Sequence, residues 1–242
     1  MDVIEAPQLS GPQALGHWYY DAKFRLLKHH LATIPSLDKE SRLADVGCGV
    51  GILMTMLERE GIFYPGSMTG VDPAYTAPAI AQGGSSQILP GWPENQPFNI
   101  ALLMDVLEHV ADDEALLNDV ASHLAPNGNI FVTVPAFSWL WSAHDRFLGH
   151  HRRYTIKTLG ALVARVGALR IRSLHYYYAS IFPVAAPWRV ARRSDNGADC
   201  SDLARVSPWI NKALLFASSL ELKLAARNRL GGLSVVALCE KV

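Results

Sequence analysis

The stretch Leu43-Ala44-Asp45-Val46-Gly47-Cys48-Gly49-Val50-Gly51-Ile52-Leu53 decides the fold. It reads as a short apolar strand, a glycine-spaced turn and a helix beginning at about Gly51. Glycines at 47, 49 and 51 let the backbone turn sharply and approach a ligand closely. The helix start then presents free N–H groups to whatever sits there. Dinucleotide-binding turns share this pattern, but the acid before the first glycine sets this one apart. A carboxylate at Asp45 repels a pyrophosphate and suits a ligand carrying an ammonium or sulfonium charge.

Two further segments extend the pattern. Ser67-Met68-Thr69-Gly70-Val71-Asp72 ends on an acid about 20 residues after the turn, where Rossmann-like sheets place a ribose-binding carboxylate. A helix N-cap is the alternative use of Asp72; its register with the glycine turn favours ribose. Ile100-Ala101-Leu102-Leu103-Met104-Asp105-Val106-Leu107-Glu108-His109-Val110 is a buried-type strand running into an acidic and histidine-bearing loop.

With these three motifs in order, the chain resembles the class I S-adenosylmethionine (SAM)-dependent methyltransferases. The resemblance covers nearly the whole chain and implies a Rossmann-like, doubly wound α/β fold with a mainly parallel seven-stranded sheet. It implies SAM as cofactor, S-adenosylhomocysteine as product, and a cofactor site of Asp45, Gly47, Cys48, Gly49, Gly51, Asp72, Pro73, Leu89, Asp105 and Val106. Cys48 reads as a small packing residue, not a nucleophile.

The alternation of elements agrees. A helical segment over 12–34 is expected, with Trp18, Tyr19, Phe24, Leu27 and Leu31 on one face and Pro35 at its end. Strands are expected near 42–46, 67–72, 86–89, 99–104, 129–134, 169–177 and 233–238. Helices are expected at 51–60, 75–82, 112–124 and from Thr155 to Gly167. The last two strands of this superfamily usually form a close hairpin, but roughly 55 residues intervene here, far beyond an ordinary connection. The chain therefore divides into an N-terminal helical cap (1–36), a SAM-binding core (37–178), a helical insert (179–232) and a last strand (233–242). These form one methyltransferase domain.

The insert opens with Tyr176-Tyr177-Tyr178 and Ile181-Phe182-Pro183, continues through Trp188, Arg189, Arg192 and Arg193, then a polar stretch at 194–202, and ends in a helix over 207–229. Aromatic and apolar residues flanked by arginines fit a segment lying on an anionic membrane. A substrate lid packed on the protein is the favoured reading, and one element can do both.

Half of the 242 residues are hydrophobic, yet no apolar run approaches the ~18 residues of a membrane span. The start, Met1-Asp2-Val3-Ile4-Glu5, lacks a signal-peptide core. The three cysteines have no metal spacing. A cytoplasmic enzyme is expected, with peripheral contact at the inner face of the membrane as an option. The net charge of zero hides an asymmetry: residues 1–143 hold 6 basic against 16 acidic residues, and residues 144–242 hold 16 against 6. A basic half points to an anionic partner, or the two halves neutralise each other. Nucleic acid is disfavoured because the basic residues are spread, not gathered with stacking aromatics.

Two clusters carry candidate chemistry. His144-Asp145-Arg146-Phe147-Leu148-Gly149-His150-His151-Arg152-Arg153-Tyr154 lies on the loop after the fifth strand, where such sheets collect ligand-contacting residues. A histidine from 144, 150 or 151 is the expected general base for a hydroxyl acceptor, since only imidazole titrates near neutrality unaided; His109 is a further candidate. Trp18, Tyr19, Arg152, Arg153 and Tyr154 are candidate acceptor contacts, with Arg152 and Arg153 suited to an anionic group. This set resembles bacterial methyltransferases of lipid, glycan or secondary-metabolite assembly, which implies a small-molecule or lipid-linked acceptor. The second cluster, Asp105, Glu108 and His109, resembles the acid-x-x-Glu-His motif of metal-using O-methyltransferases of ubiquinone biosynthesis and small-RNA capping. There a divalent cation lowers the acceptor's pKa. That alternative is not favoured, because metal-free relatives carry the same Leu-Glu-His-Val. A non-catalytic SAM-binding or partner-binding module is the remaining reading.

Overall fold

The computed structural model describes residues 16–94, 96–191 and 207–242. Helix α1 (Trp18–Leu31) buries Tyr20, Phe24, Leu27 and Leu31, and Lys28 in its last turn complements the helix dipole. There follow β1 (Leu43–Val46), α2 (Ile52–Arg59), β2 (Met68–Val71), β3 (Ala79–Ile80), β4 (Gln87–Leu89), β5 (Phe98–Met104) and α3 (Asp113–Ser122). The remainder comprises β6 (Leu124–Pro135), α4 (Ala143–Phe147), α5 (Ile156–Val166), β7 (Leu169–Tyr177), α6 (Phe182–Ala191), α7 (Pro208–Ala225) and β8 (Ser234–Lys241).

The strands form one sheet in the order β3-β4-β2-β1-β5-β6-β8-β7. β1 pairs in parallel with β2 and β5, β4 with β2, and β6 with β5. β8 runs antiparallel between β6 and β7. The chain winds outward from β1 in both directions, so the carboxyl ends of β1 and β5 frame the crevice where open α/β sheets bind ligands. Leu27, Met54 and Leu57 from α1 and α2 pack on one face of the sheet, and Leu117, Leu159 and Val163 from α3 and α5 cover the other.

The sheet has eight strands where seven were expected. The additional one, β3, replaces the helix expected near 75–82 and pairs antiparallel with β4. Pro78 would interrupt a helix there, and Gly83, at φ +74°, serves a tight turn closed by the Ala81 N–H donating to Ser86 O (2.9 Å). The helix expected over 112–124 is α3, which stops at Ser122, and Pro126-Asn127-Gly128 form an irregularity inside β6, with Asn127 at φ +61°.

The insert supplies α6 and α7. α7 is pinned to α1, with the Trp18 N–H donating to Asn211 Oδ1 (2.8 Å) and Arg25 donating to Ser219 Oγ (2.8 Å). Arg192, Arg193, Cys200 and the polar stretch at 194–202 lie outside the described residues. No helix among the described residues is long and apolar enough to cross a membrane.

A buried histidine pair joins α1 to the sheet. His30 Nε2 and His175 Nε2 lie 3.0 Å apart, and His175 Nδ1 is 3.0 Å from Tyr176 O. The Tyr176 carbonyl can only accept, so His175 donates through Nδ1 and receives the His30 proton at Nε2. Burial, with the neighbouring His175 and His29, pushes His30 down to about 3, and burial lowers His175. An unfolded histidine binds its proton near pH 6.5, so the unfolded chain takes up protons that the folded chain refuses. The His30 contribution to stability is therefore full above about pH 6.5 and falls as pH drops toward 3, by about 1.4 kcal/mol per pH unit. Urea melts between pH 7 and pH 5 should show this slope, and it should shrink in His30→Leu.

Candidate active site

The glycine turn starts where β1 ends. Gly47, Gly49 and Gly51 have φ of +67°, +55° and +76°, which a side chain would strain. A Cβ on Gly47 would also sit 2.8 Å from Val106 Cγ2, and one on Gly51 2.6 Å from Ala81 Cβ. Asp72, at the end of β2, holds the turn: its Oδ2 accepts from the Gly49 N–H (2.8 Å) and its Oδ1 from the Ala74 N–H (2.9 Å). The Asp72 N–H donates to Leu89 O (2.9 Å), and Tyr75 OH donates to Gly49 O (3.0 Å). Pro73, exposed, follows Asp72. Cys48 is buried, and burial raises its thiol far out of the nucleophilic range, as a packing role requires.

Asp45 is buried, and its Oδ2 has no hydrogen-bond partner. Burial, reinforced by the Asp72 carboxylate, pushes its carboxyl up to about 7. A cation beside Asp45 would relieve both the missing partner and the like-charge repulsion.

Asp105 follows β5 with φ +57°, an uncommon conformation for a residue with a side chain. Its Oδ1 accepts from Thr133 Oγ1 (2.9 Å) and its Oδ2 from Tyr19 OH (3.0 Å) and from the buried Lys23 Nζ. Burial alone would raise the Asp105 carboxyl, but the Lys23 charge and these hydrogen bonds hold it below its ordinary value. The cap helix thus reaches across to the end of β5 through a buried ion pair.

Beside this pair lies a cavity of about 220 Å³, bounded by α1, the loop after β6, α4 and α6. Trp18, Tyr19, Asp105, Glu108, His144, His150, Arg153, Trp188 and Arg189 are among its lining residues. His150 is fixed within that wall. Its Nδ1 lies 2.9 Å from Asp145 Oδ1, and Asp145 is fully buried. Arg153 grips the same carboxylate with Nε (2.7 Å) and Nη2 (2.9 Å), and the Ser142 N–H completes it (2.8 Å). Burial alone would raise the Asp145 carboxyl, but the bonds from His150 and Arg153 hold it well below the usual carboxylate range. An ionised Asp145 accepts the Nδ1 proton, so in the neutral ring the lone pair of His150 lies on Nε2. The His109 ring stands edge-on to that of His150, 4.5 Å between centroids. Ligand atoms of Glu108, His109 and His150 all lie within 4.8 Å of one another.

The structure brings Trp18, Tyr19, Asp105, His144, His150 and Arg153 together, with His109 against His150. Three other expected residues do not reach the cavity. His151 is exposed, and its backbone N–H donates to Glu108 O (2.6 Å). Arg152 pairs with Asp113 (2.8 Å), and Tyr154 OH donates to the same carboxylate (2.8 Å), bracing the start of α3. Lys23 was missed in the sequence; Trp188 and Arg189 were read there as part of the insert, for which a substrate lid was favoured, and Asp145 was quoted without a role. Lys23 stands four residues after Tyr19 on one helix, a spacing that puts both on one face; a lysine among apolar positions was the available signal.

A Rossmann-like sheet with an acid-led glycine turn and a polar cavity at the carboxyl ends of its strands defines a class I methyltransferase architecture. The family model described as "Methyltransferase domain" matches residues 17–171, more than half of the chain, and the chain belongs to that family. The ubiquinone biosynthesis O-methyltransferase of Azorhizobium caulinodans is 28% identical over 180 residues, 65% of this chain and 69% of that protein. The protein of the same name from Yersinia pestis (strain Pestoides F) is 31% identical over 100 residues, 38% of this chain and 41% of its own length. Among solved structures, the plantazolicin methyltransferase BpumL in complex with SAH superposes with a TM-score of 0.56 at 10% identity, covering 99% of this chain and 93% of that one. The [4+2]-cyclase SpnF superposes at 0.54 and 19% identity, covering 90% and 81%. At such identities the two superpositions show a shared fold. The protein is a SAM-dependent methyltransferase and SAM is its cofactor. Asp45, with its unpartnered buried oxygen, fits a ligand bearing a positive charge.

Proposed function

We propose that the protein methylates a hydroxyl oxygen of a small-molecule or lipid-linked acceptor held in the 220 Å³ cavity, with His150 as general base. The observation that carries this reading is the buried Asp145–His150 pair in the cavity wall, 2.9 Å apart. In this reading Asp45, the glycine turn, Asp72, Leu89 and Val106 bind the cofactor, Asp45 meeting its ammonium group. Bound there, SAM supplies a methyl group made electrophilic by its sulfonium. Asp145 fixes the His150 tautomer, and His150 Nε2 would take the acceptor's hydroxyl proton as that oxygen gains the methyl group, the sulfur–methyl bond breaks and S-adenosylhomocysteine leaves. Trp18 and Tyr19 hold the acceptor's apolar part, and Lys23 through Asp105 holds the cap helix against the site. Arg153 orients Asp145, while His151, Arg152 and Tyr154 have no contact with the acceptor. The name of the Azorhizobium relative supports oxygen as the methylated atom.

One observation favours a second reading. Glu108, His109 and His150 each bring a potential ligand atom within 4.8 Å of the other two. Asp105, expected as the first ligand, is instead engaged by Lys23, Tyr19 and Thr133, so a divalent cation would take the other three. The two readings part under chelation. With His150 as a metal-free base, EDTA leaves turnover unchanged and Glu108→Gln has a small effect. Loss of turnover in EDTA, its recovery with Mg²⁺ and an equal loss in Glu108→Gln would replace the base by the metal.

A further inference from the structure

We propose that the outward faces of α6 and α7 seat on the surface of an anionic lipid bilayer. The proposal deepens the lipid-linked branch of the reading above and rests on it for the acceptor's source; the docking itself stands on the two helices.

The outer side of α6 carries Pro183, Val184, Pro187, Val190 and Ala191, all exposed, with Val184 at 76%. On α7 the exposed apolar residues recur as Trp209, Phe216, Leu220 and Leu224, at spacings of 7, 4 and 4, which is one helical stripe. Trp209 is 83% exposed and Phe216 66%. Side chains of this kind left in water on two neighbouring helices mark an interaction surface.

Charge decides the occupant. α7 contains one acid, Glu221, and it is turned inward, accepting from the backbone N–H groups of Tyr178, Ala179 (3.2 Å) and Ser180 (2.7 Å). Lys212 and Lys223 are exposed beside the stripe, and Arg227 and Arg229 follow at its end. Lys212 Nζ lies 6.0 Å from the Trp209 ring centre. A second copy meeting this face would bring another cationic α7 with no outward acid to pair with Lys212 and Lys223. An anionic bilayer takes both components, the aromatic and leucine side chains in the headgroup boundary and the cations against its charge. Since no described helix is long and apolar enough to span, the contact is with the surface.

The patch adjoins the cavity. Leu230, in the turn after α7, is 96% exposed, and a Cβ on the next residue, Gly231, would meet Phe182 at 3.7 Å. The end of α7 therefore meets the start of α6. Trp188, on α6, is part-exposed and also lines the cavity. An acceptor with its tail in the bilayer would enter along α6.

Cosedimentation of the full chain with vesicles of phosphatidylglycerol in phosphatidylcholine, against phosphatidylcholine alone, tests this without SAM or acceptor. Binding to the anionic vesicles is expected, weakening with salt and by roughly fivefold for each of Lys212→Gln and Lys223→Gln. Trp209→Ser with Phe216→Ser should cost about tenfold or more, with the melting temperature unchanged because both side chains are exposed. No binding at low salt, or equal binding by the variants, would overturn the proposal. So would a dimer in light scattering that Phe216→Glu dissociates, since a second copy would then cover the face. Failure here leaves the methyltransferase reading intact. Vesicle binding together with turnover of an acceptor lacking a lipid would keep the docking and remove the lipid-linked branch.

Discussion

Replacing His150 with alanine is expected to lower turnover by about 10²–10⁴-fold, the usual cost of losing a general base, while SAM affinity stays close to that of the parent. None of the glycine-turn residues lines the cavity that His150 faces, so the substitution leaves the turn untouched. His151→Ala, an exposed position, should change turnover little. His150→Gln keeps a donor toward Asp145 and controls for packing; it should fold and still be slow. Single-turnover transfer at saturating SAM, with calorimetry for SAM binding, reads both quantities. Equal losses in binding and turnover would assign His150 to structure alone.

Lys23→Met should be the most destabilising change in the site. It strands the Asp105 carboxylate among Tyr19, Thr133 and apolar neighbours, and breaking one side of a buried ion pair costs about 3–5 kcal/mol. Asp105 keeps some exposure to the cavity, which places the expected cost near the lower figure. Asp105→Asn added to Lys23→Met should recover part of the loss, because the unpaired charge is then gone. Urea melts of the two single variants and the double variant supply the cycle. Simple additivity of the two losses would mean that the pair is not coupled.

Much of the fold was legible because strand period, glycine spacing and acid placement act locally. The 43–53 stretch needed no distant contact to be read as strand, turn and helix, and Asp72 and Asp105 fell at strand ends in consequence. Reading failed between 73 and 86, where two prolines and a glycine pair left no period, and the hairpin with β4 depends on a partner strand. In the site, polar density located the 144–154 loop. It could not separate His150 from His151, since adjacent residues differ only in which way the folded loop turns them. Asp145 escaped assignment for the same reason: an acid between a histidine and an arginine reads as solvated until the fold buries it. Lys23 and Arg189 come from opposite ends of the chain and meet only around the finished cavity.

The central claim is methyl transfer to an acceptor oxygen in this cavity. Its most direct test is incubation of the folded protein with methyl-labelled SAM and an extract of the native host, followed by mass spectrometry of every labelled product. The expected result is one labelled small molecule or lipid bearing a new methoxyl group, formed by the parent and nearly absent with His150→Ala. Label entering nucleic acid or protein, label on nitrogen or carbon, or no labelled product from protein that binds SAM would contradict it.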